Sequence, residues 1–316
     1  MKLIPSFISS VFLVLFGLGS EASYAGSSIE REDGASISYY LEAASENNSS
    51  NTLFVFFQGS DCNSVKHNEL IRQLSQAIWP SADLLLIEKP GITSSLSLES
   101  NPERPDCPGF YIENDSPEQR AKDANAVLDN VAKDNQYKTI IALGGSEGAV
   151  VAALLAADYS VVDAIVMING GGRWFLDDVV HNIKSTSPES ESTSILEGFK
   201  GFVDKILNSE PFDVEASNHG YAWWRSALTI DQKSVLNRVN VPALVIQGGR
   251  DQSVSPEAVR ELIEDLHSIG KSNIELMTYP EMDHGLSDPG GQRMTQEIAE
   301  CISGWLKAKL EPSPNE

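Results

Sequence analysis

The chain has 316 residues, 41% of them hydrophobic, enough for one large core or two small domains. Its net charge of −22 argues against nucleic acid and anionic membrane surfaces as partners, because phosphate contacts need a basic face. A small neutral substrate is compatible with that charge.

Residues 1–25, MKLIPSFISSVFLVLFGLGSEASYA, read as a signal peptide. Lys2 supplies a positive end, Ile4 to Leu18 an apolar centre, and Ser23-Tyr24-Ala25 a small-x-small site ahead of Gly26. The apolar run is short for a bilayer span of about 20 residues, and no charge cluster follows it. Cleavage near Ala25 is expected, leaving a domain over 26–316 that is exported, periplasmic or secreted, with no membrane anchor. Export permits disulfides, and the three cysteines allow one bridge at most. Cys301 shares a helical face with Ile298 and Trp305 and reads as a buried free thiol. Cys62 and Cys107 lie in polar, loop-like segments and are expected to pair. No Cys-x-x-Cys or clustered histidine spacing supports a metal site, and no cofactor is expected.

The Asp33-Gly34 turn signal in SIEREDGASISYYLEAA suggests an opening β-hairpin. NTLFVFFQG is a continuous apolar strand, HNELIRQLSQAIW an amphipathic helix and ADLLLIEKPG a second buried strand. A loop rich in Ser, Pro and Asn covers about 92–115. Ser116 as N-cap and Pro117 at the first helical position open a helix in SPEQRAKDANAVLDNVAK. YKTIIALGG, EGAVVAALLAA and VDAIVMINGG then read as strand, helix and strand. VPALVIQGG, SPEAVRELIEDLHSIG, SNIELMTYP and QRMTQEIAECISGWLKAKL continue as strand, helix, strand and helix. Apolar strands alternating with amphipathic helices predict a mainly parallel sheet covered on both faces. The alternation breaks once, at about 171–240, read as an insertion packed over one end of the sheet. Within it, 185–194 reads as mobile by composition.

In such sheets ligands bind beyond the carboxyl ends of the strands, so the residues just after each strand matter most. Gly144-Gly145-Ser146-Glu147-Gly148 fits Gly-x-Ser-x-Gly between a strand and a small-residue helix. Ser146 there is either a helix N-cap or a nucleophile held at the positive end of a helix. A nucleophilic serine needs a base, and the base an orienting acid. His67 and His267 fall in predicted helices, and His181 and His219 in the insertion, where surface or packing roles are expected. His284 follows the last strand in TYPEMDHGLSDPG, and Asp251 follows a strand and two glycines in VPALVIQGGRDQSVSP. Asp283, adjacent to His284, is poorly placed to orient its ring. The order Ser146, Asp251, His284, each after its own strand, points to a catalytic triad.

GGSEG, GGRDQSV and MDHG, in this order, resemble the α/β-hydrolase superfamily over about residues 36–309. The resemblance implies a three-layer α/β fold whose eight-stranded, mostly parallel sheet has only an early strand antiparallel. It also implies a helical lid between the sixth and seventh strands, where 171–240 falls. It further implies an oxyanion hole of two backbone N–H groups, from Glu147 after the nucleophile and from Ser60. The loop carrying Ser60 reads Gln58-Gly59-Ser60, where the family usually has His-Gly-x. A Cys62–Cys107 bridge would help to fix this loop.

The implied activity is that of an exported serine hydrolase cleaving a carboxylic ester or related acyl bond in a small molecule through an acyl-enzyme. The alternatives are a short-lid serine peptidase of the prolyl-peptidase type and a hydrolase-fold protein that binds without turnover. Thioester hydrolysis is a variant, with acyl-CoA disfavoured by export. Trp174, Trp223 and Trp224 are candidate substrate contacts; the alternative is that they bury the insertion against the core.

Overall fold

A computed structural model describes residues 26–45, 50–101, 103–135 and 137–311; the signal-like segment lies outside them. Strands β1 (Ser27–Glu30) and β2 (Ser36–Glu42) form the opening hairpin. It turns at Gly34, whose φ of 84° suits a residue without Cβ. The continuous apolar runs become β3 (Thr52–Phe57), β4 (Asp83–Ile87), β5 (Thr139–Gly145), β6 (Ala164–Ile168), β7 (Ala243–Gly248) and β8 (Ile274–Tyr279). Together they make one eight-stranded sheet in the order β1-β2-β4-β3-β5-β6-β7-β8. β2 is antiparallel to both neighbours, and β3 to β8 are parallel.

The chain leaves β3 outward to β4 and returns to the other side of β3 as β5. Loops after β3 and β5 therefore part from each other and leave a crevice at their carboxyl ends, the usual ligand position in an open α/β sheet.

Helices α1 (Glu69–Ile78), α2 (Gly109–Asn114), α3 (Pro117–Asp134) and α4 (Glu147–Asp158) precede β6, and α5 (Phe175–Thr186), α6 (Glu189–Asn208), α7 (Tyr221–Thr229) and α8 (Gln232–Arg238) lie between β6 and β7. α9 (Pro256–Ser268) and α10 (Thr295–Leu310) follow. Ser116 and Ser255 start α3 and α9 alike: each hydroxyl accepts an N–H from the first turn, and a proline occupies its beginning. Ile71, Leu74 and Ile78 of α1 and Ile298, Ile302 and Leu306 of α10 fill one face of the sheet. The buried sides of α3, α4, α8 and α9 fill the other. Helices α5, α6 and α7 hold a smaller apolar cluster of their own around Phe199, Trp223 and Trp224.

Three local expectations are corrected. The segment 92–115 is not all loop, because Tyr111, fully buried, anchors the short α2. The polar stretch 185–194 largely enters α6, whose later turns carry Phe199, Val203 and Ile206 on one buried stripe. That stripe docks on Trp224, with the Phe199 ring 6.3 Å away, and the polar first turns continue the same helix. Cys301 is free but only partly buried, its thiol set against the Met277 sulfur.

Among the described residues no helix is long and apolar enough to cross a membrane.

Candidate active site

Ser146 sits in the turn from β5 into α4 with φ 54° and ψ −128°, a strained backbone for a non-glycine residue. The turn is tight enough to exclude side chains on either side. A Cβ on Gly144 would fall 2.0 Å from the Gly148 carbonyl oxygen, and one on Gly148 2.1 Å from that of Phe57. The serine hydroxyl makes no capping bond to α4, so the helix-cap explanation of this serine fails. Its backbone N–H instead donates to Ile168 O of β6 at 2.8 Å, fixing the turn to the sheet.

Asp251 and His284 come together at the ends of β7 and β8, with Nδ1 of His284 2.8 Å from Oδ2 of Asp251. The carboxylate is held from below: Oδ1 accepts the N–H groups of Ser253 and Val254, and Oδ2 the Gln247 amide. Burial alone would lower the His284 pKa. The Asp251 carboxylate, helped by Asp283 and Asp178, outweighs it and raises the pKa above the ordinary histidine value. Asn169, buried after β6 with φ 50°, joins the two loops. It donates to His284 O at 3.1 Å and accepts from Gly248 N–H at 2.9 Å. The insertion also grips the acid loop: the His181 ring meets Asp251 O at 3.0 Å, and Asn182 donates to Gln252 O at 3.0 Å. His181 thus has a site-shaping contact that its place in the insertion did not suggest.

The loop after β3 faces Ser146 from the other side. A Cβ on Gly59 would lie 3.3 Å from that of Ser146. Three of its carbonyls are turned away and held by buried side chains. Arg120 donates to Gln58 O at 2.6 Å, the Tyr111 hydroxyl to Ser60 O at 3.0 Å, and the Lys89 ammonium to Asp61 O. The Gln58 side chain closes the loop by donating to Asn63 O at 2.6 Å. Cys62 and Cys107 are joined at an S–S distance of 2.00 Å, tying the loop to the segment before α2. Among the described residues neither Ser60 N–H nor Glu147 N–H donates to a protein acceptor.

Beneath this loop is a cluster of buried charges. Arg120 pairs with the Glu147 carboxylate, both nearly out of solvent, and the Trp223 indole N–H donates to the other Glu147 oxygen at 2.5 Å. Asp115 is 1% exposed and neither of its oxygens has a hydrogen-bond partner. Burial, then the nearby Glu147 charge, raise its pKa to about 7 against the opposing pull of Arg120 and Lys89. Burial lowers the Lys89 pKa despite Asp61.

Ser60, Ser146 and His284 line one cavity of about 1300 Å³ and, with Glu147, a second of about 100 Å³. Both are also lined by His219, which stacks on Trp223 at 3.8 Å and meets the Tyr111 hydroxyl at 3.4 Å. Burial, with Lys89 and Arg120 nearby, pushes its pKa well below the ordinary value, so the ring is neutral. Trp223 and Trp224 line the smaller cavity. Trp174 lines neither cavity; it sits at the start of α5 with Arg173, which is paired to Asp231, over its ring. Among the described residues no cluster of three His, Cys, Asp or Glu side chains could hold a metal ion.

Residues 128–291, which include all of Ser146, Asp251 and His284, match the family model described as BAAT / acyl-CoA thioester hydrolase C terminal. No curated protein sequence matches the chain. Among solved structures, Est1E from Butyrivibrio proteoclasticus superposes with a TM-score of 0.60 at 15% identity, over 91% of this chain and 99% of that one. An α/β serine hydrolase without lid from Xanthomonas campestris gives 0.53 at 13% identity, over 93% and 98%. A puromycin-hydrolyzing peptidase of Mycobacterium tuberculosis gives 0.61 at 15% identity, over 93% of this chain but 40% of that one. At these identities the likeness is one of fold.

Proposed function

Because the chain belongs to the BAAT / acyl-CoA thioester hydrolase C-terminal family, within the α/β-hydrolase superfamily, we propose that it is an exported serine hydrolase acting on a carboxylic ester or related acyl bond. The observation that carries this reading is the convergence on one cavity of an uncapped Ser146 in a strained turn and a His284 bound to Asp251. Ser146 Oγ attacks the acyl carbon while its proton passes to His284 Nε2. The carbonyl electron pair moves onto the oxygen, which the N–H groups of Ser60 and Glu147 receive. Collapse expels the leaving group, protonated by His284, and leaves the acyl group on Ser146. Water, deprotonated by His284, repeats the attack and frees the acid. Asp251 keeps the ring in the tautomer that accepts at Nε2 and stabilises the imidazolium.

The same constellation cleaves a thioester, which the family description favours, so acyl thioesters belong in the substrate panel beside p-nitrophenyl esters and aminoacyl anilides. Residues 1–25 act as a cleaved signal; the mature protein recovered outside the cytoplasm should begin near Gly26. The decisive experiment is labelling with a small fluorophosphonate. Wild type should label at Ser146 and Ser146→Ala should not. An unlabelled wild type, or equal labelling of the variant, overturns the catalytic reading in favour of binding without turnover.

A further inference from the structure

Two cavities of very different size meet at Ser146. The larger, about 1300 Å³, reaches Ser94, Ser95, Ser97, Leu98 and Glu103, whose side chains are exposed, so it opens to solvent. The smaller, about 100 Å³, lies under the insertion, and every residue in its wall is buried or half-buried. Phe175, Val179, Trp224, Ala227 and Ile230 supply much of that wall. Of its polar members, Asp178 accepts the N–H groups of Gly172 and Ser255, Asn182 donates to Gln252 O, and Trp223 donates to Glu147. The surface met by a ligand is chiefly hydrocarbon; Gln232 Oε1 is a polar exception without a partner.

Resting on the serine-hydrolase reading, we propose that the small cavity is the acyl pocket, that it limits the substrate to short acyl groups of up to about four carbons, and that the leaving group occupies the open cavity. The chemistry assigns the two sides. Once Ser146 is acylated, the acyl carbon stays bonded to Oγ while the leaving group must depart and water must replace it. A small pocket with buried and half-buried walls suits the part that stays, and the larger one that reaches exposed residues the part that leaves. Both cavities include His284, so the imidazole can protonate the departing group and then take a proton from water entering along the same path. Size sets the limit: an apolar cavity of about 150 Å³ accommodates benzene, six carbons, so one of about 100 Å³ holds roughly four.

The test measures kcat/KM for p-nitrophenyl esters of two, four, six, eight and ten acyl carbons on the mature chain. Each methylene buried in the pocket should raise kcat/KM about threefold to fourfold up to butyrate. Beyond it the value should fall by about tenfold or more, the discrimination a filled pocket gives. Phe175→Ala, which opens the pocket at a half-buried position, should move the cut-off to six carbons or more. Ala227→Leu should lower the butyrate-to-acetate ratio below that of wild type. If Phe175→Ala does not fold, judged by circular dichroism, the Ala227→Leu ratio decides alone. A wild type that labels with the fluorophosphonate yet prefers octanoate to butyrate overturns the pocket assignment and leaves the hydrolase reading standing. A wild type that neither labels nor hydrolyses any ester overturns both.

Discussion

Ser146 stands between two arms of very different construction. On one side, Asp251 and His284 are short side chains on strand-end loops, joined by one contact of 2.8 Å and oriented largely by neutral backbone and amide groups. On the other, the backbone of Gln58 to Asp61 is held by two buried cations and a buried tyrosine. The difference follows from what each arm presents. An acid and a base present side chains, which a loop can carry if it is pinned. Oxyanion donors are backbone N–H groups, aimed only if the loop that carries them is rigid, and the anchored carbonyls of Gln58 and Ser60 fix the peptides on either side of the one that bears the Ser60 N–H. Buried cations do this well, but each then needs compensating charge nearby.

The largest expected effect lies on the acid–base arm. Asp251→Asn should lower kcat by about 10⁴ while leaving the fold intact, because the amide misdirects the ring tautomer. The pH profile gives the same arm a second signature. A protonated His284 cannot accept the Ser146 proton, so activity should rise with pH through an apparent pKa above the ordinary histidine value. In Asp251→Asn that inflection should move downward, since the charge that raises it is gone. An unmoved inflection would mean that another group governs the profile.

A smaller effect is expected from the oxyanion arm. Arg120→Met should cost about 10² to 10³ in kcat, comparable with losing one oxyanion donor, and about 3–5 kcal/mol in stability by leaving Glu147 buried and unpaired. Adding Glu147→Gln should recover much of the stability but not the rate, because Gln58 O stays unheld. If the double variant recovers both, Arg120 serves only the fold, and the contrast between the arms disappears.

The smallest effect on the rate concerns Asp115, whose signature is in stability. Its folded pKa, about 7, is above that of an unfolded aspartate, so between roughly pH 4 and 7 the native state binds the extra proton. This contribution to stability is complete at low pH and is lost as pH rises through 7, by at most about 1.4 kcal/mol per unit. Asp115→Asn should therefore stabilise the protein at pH 8 and flatten the fall in stability between pH 5 and 8. Thermal melts at both values check it; a variant less stable at pH 8 would show that the carboxylate is needed ionised.

The same contrast explains what the amino-acid order reveals. Strands that are apolar throughout, and helices opened by Ser116-Pro117 and Ser255-Pro256, carry local signals, and the sheet follows from them. Ser146, Asp251 and His284 also carry a local signal, because each lies in the loop that follows a strand, Ser146 directly after β5 and the other two within five residues of β7 and β8. Arg120 is one of three cations on the helix α3, and Lys89 looks like the solvated end of a strand. Their burial depends on which loop folds over them, which no window of sequence contains. The packing role of His219 has a position that no window shows for the same reason: its place beside Ser60 and Ser146 is set by stacking on Trp223 and by Tyr111, residues 4 and 108 positions away. Asn169 had a signal that was available, a polar residue directly after β6 and ahead of three glycines. The polar count of 185–194 misled because helix formation there is driven by packing further along α6.

The insertion is contiguous in the chain yet attached to both arms, through His181 and Asn182 to the acid loop and through Trp223 to Glu147. It is consequently not an exchangeable module. Excising residues 171–240, or grafting in the corresponding segment of a relative, would remove contacts on both sides of Ser146 along with the roof of the small cavity. Changes of specificity in this scaffold should therefore be sought by altering individual wall residues such as Phe175 and Ala227, with those three attachment points kept unchanged.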